Sequence, residues 1–531
     1  MHISEFKGKR VLIVGMAKTG VALARLMAEQ GALVTINDIR PESEISSALH
    51  GLEGLSCRSE FGSHRLETFL EQDLILVSPG VPVQQKAFAE ARKQNIPISN
   101  DLELAFSLTS APFLAVAGTN GKTTTTSLLG DIFERAGKRI IVGGNIGTPL
   151  SPLVCERPET EFIIAEVSSF QLETIHRFRP LVGIMLNITP DHLDRYASWD
   201  EYVEAKARLF ANQVAGDFAL INAKDAATPQ LLSRRGGAGK LLFFQAGGDS
   251  RSVSSIDAWT RGARTQGVRT DASPVSPAPA AASVAVEEGV MIQGTDIIVR
   301  FNSSKTPASG LGDTGTKRQG DISPSHGCRE ERICSIEQAK LRGEHNQENI
   351  LAAVLTAWLC HIDRSVIQKS IEEFSGLSHR IEFVAEIKGV RFIDDSKGTN
   401  VDAVIRAIQS IDGGKSIWLI LGGRDKGNEY QPLVPLVKDR VKGILAIGES
   451  REKVNQFFRD IVPVYCADSL ADSFKEAVHR GFSMASAGDS VLLSPACASF
   501  DMFTSYAHRG QVFKQLVEEL KAGGESPAHR H

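Results

Sequence analysis

The chain has 531 residues, 42% hydrophobic and 23% charged, which is the composition of a globular protein of about three domains. The formal net charge of −4 shows no excess of basic residues, so nucleic acid is not the expected partner. The first residues lack the apolar core of a signal peptide, and no apolar run is long enough to span a bilayer. Seven scattered cysteines without a CxxC pair indicate reduced thiols, so we expect a cytoplasmic protein without membrane insertion.

Short apolar runs alternate with helical patterns along most of the chain. A first set has strand-like runs at 10–16, 33–38 and 73–80, and a helical pattern at 20–32 that Gly31 is expected to cap. A second set has runs at 112–118, 139–144, 162–167, 181–187 and 218–222. A third set has runs at 391–395, 416–423, 443–448, 463–468 and 489–496. Continuous Val/Ile/Leu runs of this kind are typical of buried parallel strands.

This order predicts an α/β protein of three consecutive α/β domains, with Rossmann-like first and third domains around a central P-loop ATPase-like domain. The expected boundaries are 1–108, 109–375 and 376–531. A low-complexity insertion at about 246–330, rich in Ser, Ala, Gly and Pro, interrupts the central domain. We expect flexible loops there, except for a two-stranded hairpin at 289–301.

The segment GTNGKT (118–123) follows a strand and opens a helix near Lys122. Backbone N–H groups at such a helix start cradle phosphate, a lysine reaches the terminal phosphates, and a following hydroxyl binds Mg²⁺. Val116 stands where the usual loop has its first glycine. The alternative is a structural turn that happens to contain Gly-Lys-Thr. We predict phosphate binding by Gly118, Thr119, Asn120, Gly121, Lys122, Thr123 and Thr124.

A second glycine-rich turn, GMAKTG (15–20), follows the first strand, and Asp38 ends the second strand. Ala17 replaces the middle glycine that lets a dinucleotide pyrophosphate approach the backbone, which argues against NAD. Two interpretations remain at this point. Either another nucleotide diphosphate is bound here, in contact with Asp38 and Arg40, or the turn is structural.

Candidate metal ligands follow strands of the second set. Glu166 closes one strand and His192 follows the next, and the carboxyl ends of parallel strands meet at one edge of a sheet. We expect both side chains beside Thr123 in a Mg²⁺ site. Lys206 would ordinarily be a solvated helix lysine. A neutral lysine beside a metal could instead react with CO₂ to give a carbamate, an oxygen ligand suited to Mg²⁺.

Further polar groups lie downstream. Asn346 and Asn349 share one helix face, where they could contact an adenine edge or cap the helix. Three polar clusters follow strands of the third set: DDSKGTN (394–400), GGRDKG (422–427) and SPACASFDMF (494–503). Their cationic, hydroxyl and N–H groups predict a site for an anionic amino acid, made by Lys397, Thr399, Lys426, Ser499 and the Phe500 amide. No His/Asp pair adjoins the serines, which argues against a serine hydrolase.

The order of these motifs resembles that of the Mur ligases of peptidoglycan synthesis, over nearly the whole chain apart from 246–330. The resemblance is carried by GTNGKTTT, AEVSSFQL (165–172), NITPDHLDRY (187–196), the Lys206 helix, GEHNQENILAA (343–353) and GLSHR (376–380). Folylpolyglutamate synthetases share the loop but usually carry GTNGKGS. SPGVP (78–82), DDSKGTN and SPACASFD resemble the D-glutamate-adding branch, although Ser378 replaces its usual proline and Gly398 its usual alanine.

The resemblance implies an ATP-dependent ligase that adds D-glutamate to UDP-N-acetylmuramoyl-L-alanine through an acyl phosphate. The alternatives are another Mur-type or folylpolyglutamate-type ligase and, from other classes, an NAD-dependent dehydrogenase or a P-loop kinase or transporter ATPase. Lys122, His192 and Lys206 would be catalytic, and we expect a monomer. UDP would be bound by Ala17, Lys18, Thr19, Asp38, Arg40, Ser78, Gly80 and Asn145. Two Mg²⁺ ions would be bound by Thr123, Glu166, His192 and carbamylated Lys206. ATP would also contact Asn346, Asn349, Arg380 and Asp395, and D-glutamate would be bound by Lys397, Thr399, Lys426, Ser499, Phe500 and Tyr506.

Overall fold

A computed structural model describes residues 3–145, 148–191, 195–246, 288–302, 328–341, 343–411, 413–425, 429–466 and 472–524. Strands and helices alternate and build three mostly parallel sheets, which confirms the predicted α/β class. The chain forms two compact units, the first from Met1–Ala339 with Asn346–Phe374 and the second from Lys340–His345 with Ser375–His531. Because the first unit holds two of the sheets, the boundaries 1–108, 109–375 and 376–531 stay a prediction.

The first sheet is Rossmann-like. Its strands are β1 Arg10–Val14, β2 Leu33–Asp38, β3 Cys57–Phe61, β4 Leu74–Val77 and β5 Ile98–Ser99. Its helices are α1 Lys18–Glu29, α2 Glu42–Leu49, α3 Leu66–Leu70, α4 Lys86–Lys93 and α5 Asp101–Leu108. All five strands are parallel, in the order β3-β2-β1-β4-β5. Gly31, just past α1, has a left-handed φ of 79°, the conformation expected of a glycine that ends a helix.

The second sheet contains the phosphate-loop strand. Its strands are β6 Phe113–Ala117, β7 Ile140–Gly144, β8 Phe162–Glu166, β9 Val182–Met185, β10 Phe218–Asn222, β11 Lys240–Gln245, β12 Gly289–Gln293, β13 Asp296–Asn302 and β14 Cys328–Ser335. Its helices are α6 Lys122–Arg135, α7 Leu150–Glu156, α8 Ser169–Leu172, α9 Trp199–Ala207, α10 Thr228–Arg234, α11 Glu344–Leu359 and α12 Arg364–Glu373. The strand order is β14-β13-β12-β11-β10-β9-β6-β8-β7.

The β12–β13 pair is antiparallel, which confirms the predicted hairpin within the insertion. The segments 247–287 and 303–327, expected to form flexible loops, lie outside the described residues. From β7 to β12 all neighbouring strands are parallel, so their carboxyl ends lie along one edge. This edge carries β6, β8, β9 and β10 side by side, and the predicted metal and phosphate groups follow those strands.

Helix α5 joins the first two sheets. Leu104 packs in the core of the first sheet, whereas Leu102 and Ala105 pack in the core of the second. The Glu103 carboxylate accepts the backbone N–H groups of residues 176, 177 and 178 at 2.8–3.0 Å. Charge-assisted bonds of this kind are stronger than neutral ones, so α5 fixes the two sheets of the first unit relative to each other.

The third sheet lies in the second unit. Its strands are β15 Glu382–Ile387, β16 Val390–Asp394, β17 Ile417–Gly422, β18 Val441–Ile447, β19 Val464–Cys466 and β20 Ser490–Leu493. Its helices are α13 Val401–Gln409, α14 Val434–Arg440, α15 Arg451–Phe458, α16 Ser473–Met484 and α17 Tyr506–Gly524. In the order β15-β16-β20-β17-β18-β19 only β15 is antiparallel to its neighbour, so the carboxyl ends of β16, β20 and β17 adjoin. Within the part of the chain that the structure describes, no helix combines the length and apolarity of a membrane span.

Candidate active site

The phosphate loop has a backbone that requires its glycines. Between β6 and α6, Gly118 and Gly121 adopt φ angles of 151° and 84°, which side-chain-bearing residues rarely adopt. A Cβ on Gly121 would lie 2.2 Å from Asn349 Oδ1, so the helix α11 packs directly on the loop. Lys122 Nζ folds back over the loop and donates to the carbonyl oxygens of Gly118 at 2.9 Å and Thr119 at 2.8 Å. The loop and its lysine therefore have the geometry of a phosphate cradle.

Asn187, which the sequence analysis assigned no role, holds this loop in place. Its Oδ1 accepts the Asn120 N–H at 2.8 Å, and its Nδ2 donates to the Asn120 carbonyl oxygen at 3.1 Å. Its own carbonyl oxygen accepts the Thr119 N–H at 2.9 Å. Asn187 follows β9, the neighbour of β6, and a polar residue at the end of an apolar strand was the available signal.

The predicted amide pair lies against the same loop. Asn349 Nδ2 donates to Asn346 Oδ1 at 3.1 Å, which confirms that the two share a helix face. Asn349 Oδ1 accepts the Thr125 hydroxyl at 3.2 Å. The pair therefore faces the start of α6, while contact with adenine stays a prediction.

Glu166 offers an oxygen that suits a cation. It ends β8 in register with Val116 and is only 2% exposed. Its Oε1 accepts Asn145 Nδ2 at 2.9 Å, whereas Oε2 is buried and has no hydrogen-bond partner among the described residues. Burying a carboxylate oxygen without a hydrogen-bond donor costs free energy unless a cation binds to it. Carboxylate oxygens are ligands of Mg²⁺, so the site fits this ion. Thr123 is buried nearby at the start of α6, and His192 lies outside the described residues.

Lys206 on α9 is buried, with 2% exposure, so the alternative of a solvated helix lysine is wrong. Its Nζ lies 4.8 Å from the centroid of the Tyr202 ring. Burial, reinforced by the charge of Lys122, lowers the pKa of Lys206 well below its ordinary value, against the opposing carboxylates of Asp191 and Asp225. A neutral amine is the form that reacts with CO₂, so the environment fits the carbamate hypothesis.

Asp191 and Asp225 are further groups that the sequence analysis did not single out. Asp225 follows β10, and its Oδ2 accepts the Ile188 N–H at 3.1 Å. It therefore braces the segment that leads from β9 to Asp191. Asp191 follows β9, the neighbour of β6, and Asp225 follows β10, the next strand along the sheet; the signal that could have revealed them was their position after apolar runs.

The turn between β1 and α1 is tightly built. A Cβ on Gly20 would lie 1.9 Å from the Gly15 carbonyl oxygen, so α1 packs directly on the strand end. Asp38 accepts the Met16 N–H at 2.8 Å and the Arg40 guanidinium at 2.7 and 3.0 Å. Burial opposes ionisation of Asp38, but these donors outweigh it and lower its pKa to about 2. Asp38 is thus an anion that ties the turn to Arg40.

The loop after β4 completes this site. A Cβ on Gly15 would lie 2.5 Å from Val81 Cγ2 and 3.0 Å from Ser78 Cβ. The loop after β4 therefore packs against the turn that carries Ala17, Lys18 and Thr19, and a common nucleotide site for these residues, Ser78 and Gly80 stays a prediction. The Asn145 side chain donates to Glu166, and its contact with UDP stays a prediction.

In the second unit, the three polar clusters adjoin at one edge of the third sheet. The Arg424 N–H donates to the Ala498 carbonyl oxygen at 3.0 Å, and the Ala496 N–H donates to that of Gly398 at 2.9 Å. Arg509, fully buried on α17 and not anticipated from sequence, donates to the carbonyl oxygens of Ser396 at 2.8 Å and Cys497 at 3.1 Å. Backbone and guanidinium bonds thus hold the clusters together.

The predicted amino-acid ligands lie on this framework. Lys397 Nζ lies 5.3 Å from the centroid of the Tyr506 ring, and Thr399 N–H donates to the Lys397 carbonyl oxygen at 2.9 Å. Ser499 is buried, whereas the adjacent Phe500 is 64% exposed. Lys426 lies outside the described residues.

Asp395 is a buried member of the first cluster, DDSKGTN. Its Oδ2 accepts the Ser494 hydroxyl at 2.6 Å. Burial raises its pKa to about 7, against the Ser494 hydroxyl and the charge of Arg380. A Cβ on Gly398 would lie 2.3 Å from the same Oδ2. A glycine at this position therefore leaves room for the Asp395 carboxylate, which an alanine would not.

One neighbouring group of metal-ligating side chains is already satisfied within the protein. His379, Glu382 and Asp394 place their ligand atoms within 4.8 Å of one another. His379 Nδ1 bonds to Asp394 Oδ2 at 2.7 Å, and Glu382 accepts both the His379 N–H and Lys514 Nζ at 2.7 Å. These mutual bonds indicate a structural brace rather than a metal centre.

Comparison with known proteins gives matches along the chain. Family models match residues 9–100 as a Mur ligase MurD-like N-terminal domain, 116–267 as a Mur ligase middle domain and 379–497 as a Mur ligase glutamate ligase domain. UDP-N-acetylmuramoylalanine–D-glutamate ligase of Geotalea daltonii is 40% identical over 519 residues, covering 98% of this chain and 99% of that protein. The ligase of the same name from Acidobacterium capsulatum is 40% identical over 513 residues, covering 97% of each. A solved pseudomurein peptide ligase type C from Methanothermus fervidus has the same fold, with a TM-score of 0.55, 17% identity, and coverage of 97% and 100%.

Proposed function

The chain belongs to the Mur ligase family, and we propose that it is the ATP-dependent ligase that adds D-glutamate to UDP-N-acetylmuramoyl-L-alanine in cytoplasmic peptidoglycan precursor synthesis. The observation that carries the proposal is the set of groups at one edge of the second sheet. Lys122 lies over a glycine loop, Glu166 presents a buried oxygen without a donor, and Lys206 has a lowered pKa. Phosphoryl transfer needs this combination of cations, metal ligands and backbone donors.

In the first unit, the UDP group would be bound by the turn before α1 and the loop after β4. Ala17 precedes α1 without a side-chain cap, so the helix N-terminus is available to a diphosphate. The Asp38 carboxylate holds the Arg40 guanidinium by two hydrogen bonds, so Arg40 is already in position before the substrate binds. Lys18, Thr19, Ser78, Gly80 and Asn145 complete the proposed set.

The first step is attack of the substrate carboxylate on the ATP γ-phosphorus, which forms an acyl phosphate and releases ADP. A carboxylate needs this activation because its own oxygen is a poor leaving group. Lys122 neutralises charge that develops on the phosphoryl oxygens, and the loop N–H groups orient them. Two Mg²⁺ ions, held by Thr123, Glu166, His192 and carbamylated Lys206, would supply further positive charge at these oxygens. Asn346, Asn349, Arg380 and Asp395 would bind the rest of ATP.

In the second step, the amine of D-glutamate attacks the activated carbonyl carbon, and the tetrahedral intermediate expels phosphate to leave an amide. The second unit would bind the incoming amino acid. Lys397 lies beside Tyr506, where its ammonium group could bind a carboxylate of D-glutamate. Thr399, Ser499 and the Phe500 N–H would add neutral hydrogen-bond donors. Lys426 would supply a second cation.

One assay tests the proposal. Purified protein is given UDP-N-acetylmuramoyl-L-alanine, ATP and Mg²⁺, and ADP release is measured with D-glutamate, L-glutamate, meso-diaminopimelate or L-lysine. D-Glutamate alone should support turnover with one amide formed per ADP. Turnover with a different amino acid indicates another Mur-type ligase, and ADP release without amide formation indicates an ATPase. Parallel binding assays with NAD should show no binding.

A further inference from the structure

An arginine outside the reacting groups connects the nucleotide turn to the phosphate-loop side of the first unit. Arg195 is the penultimate residue of NITPDHLDRY (187–196). One of its terminal guanidinium nitrogens donates to the Gly80 carbonyl oxygen at 3.2 Å, and the other donates to that of Val81 at 3.0 Å. The second nitrogen also pairs with Glu173 Oε2 at 3.1 Å. A single side chain thus links the loop after β4 to Glu173, which follows a strand of the second sheet.

The geometry of this guanidinium is restricted on every side. The Arg195 and Glu173 side chains are each only 9% exposed. The guanidinium lies 4.4 Å from the centroid of the Phe170 ring, and the Tyr196 hydroxyl donates to Glu173 Oε1 at 2.7 Å. A planar fork that stacks on a ring and donates in several directions cannot be reproduced by a lysine ammonium.

The contacts continue in both directions. Val81 packs on Gly15, at the start of the turn proposed to bind the diphosphate. In the other direction, the ring of Tyr196, the residue after Arg195, lies 5.2 Å from that of Tyr202, and the Tyr202 hydroxyl lies 3.2 Å from the Thr119 hydroxyl of the phosphate loop. Arg195 therefore lies on a path of side-chain contacts between the diphosphate turn and the place where ATP would be bound.

We propose that Arg195 is a positioning residue that sets the distance between these two sites and so selects substrates by the length of the arm between UDP and the reacting carboxylate. The inference rests on the proposed function. A carboxylate reacts only when it is held within about 3.5 Å of the phosphorus atom, and a misplacement of about 1 Å costs up to about 100-fold in rate. A fixed separation suits one arm length and disfavours an arm that is one amino acid shorter.

The test compares the wild-type chain with Arg195→Lys on UDP-N-acetylmuramoyl-L-alanine and on UDP-N-acetylmuramic acid, which lacks the alanine. For the variant we expect kcat/KM with the alanine substrate to fall about 10- to 100-fold. The preference for that substrate over the shorter one should fall by about tenfold or more. The KM for ATP and the Kd for UDP alone should stay within about twofold, because neither ligand spans both sites.

Arg235→Lys is the matched control. Arg235 also stacks on a ring, 5.9 Å from the Phe210 centroid, and donates to the Gly239 carbonyl oxygen, but both partners lie in segments that connect helices and strands of the second sheet and do not touch the loop after β4. Its variant should keep the substrate preference. Glu173→Gln weakens the ion pair with Arg195 with little change of side-chain shape, so it should shift the substrate preference in the same direction as Arg195→Lys. This second variant keeps the test valid if Arg195→Lys does not fold.

The outcomes separate the two hypotheses. If the wild-type chain does not join D-glutamate, the proposed function fails. If it does, but Arg195→Lys and Glu173→Gln keep the wild-type preference between the two substrates, the positioning role is refuted. Parallel losses in ATP and UDP binding together with a lower melting temperature would also refute it, because they indicate general destabilisation.

Discussion

Asn187 gives the sharpest quantitative prediction about the phosphate loop. Replacing it with alanine removes two hydrogen bonds to Asn120, of 2.8 and 3.1 Å, and leaves a partly buried N–H and carbonyl without these partners. A neutral hydrogen bond contributes about 1 kcal/mol, so the loop loses about 2 kcal/mol of preference for its binding geometry. If ATP must restore that geometry, its affinity falls by up to about 30-fold.

The measurement is the KM for ATP in the ADP-release assay, together with the Kd for ADP from calorimetry. Gln213→Ala is the matched control, because its amide makes two hydrogen bonds, of 3.2 and 2.8 Å, to the carbonyl oxygens of Pro180 and Phe218 at the opposite end of the same sheet. Both variants should lose similar stability in urea, but only Asn187→Ala should weaken nucleotide binding. Equal KM values for ATP in the two variants would refute the reasoning.

Three further predictions concern single ionisable groups. Lys122→Ala should slow ADP formation by about 100-fold or more while the Kd for the UDP substrate, from calorimetry, stays within about twofold; surviving ATP turnover would show that the loop is misassigned. Activity should fall in CO₂-free buffer and return with bicarbonate, with a carbamate carbon signal from Lys206 in ¹³C NMR; full activity with an unmodified lysine would contradict the carbamate. Asp395 has a pKa of about 7 against an ordinary 3.8, so the folded state binds its proton more tightly, and this stabilisation is present below pH 4 and lost as the pH rises through 7. Asp395→Asn should remove that dependence, which is about 3 kcal/mol between pH 4.5 and 7.5 at about 1.4 kcal/mol per unit up to the folded-state pKa, as measured by urea unfolding; an unchanged slope would contradict it.

Most of the strands that the sequence predicted are continuous apolar runs. Runs such as FLAVA and FALIN are buried along their whole length, because helices cover both faces of a parallel sheet, and their apolar continuity is visible in sequence. Some strands were missed because they are short or polar, whereas β11 (KLLFFQ) was missed although it is apolar. β5 has two residues, and β14 (CREERICS) carries ion-pairing charges, including Glu330 with Arg300 in the antiparallel extension of the sheet. Pairing with a neighbour, rather than local pattern, decides that such segments are strands.

The sequence by itself determined which residue types follow which strands. The phosphate loop, Glu166, the amide pair and the three clusters of the second unit were predicted from local spacing, because glycine, lysine and hydroxyl groups at a strand end have few other uses. Tertiary structure decided the electrostatic state of these groups and the residues that position them. Lys206 is a buried amine because its helix packs into the core of the second sheet, and Asn187 and Arg509 acquired roles through contacts across 67 and more than 100 residues. Burial and long-range hydrogen bonds depend on where distant segments meet, and no local pattern records that.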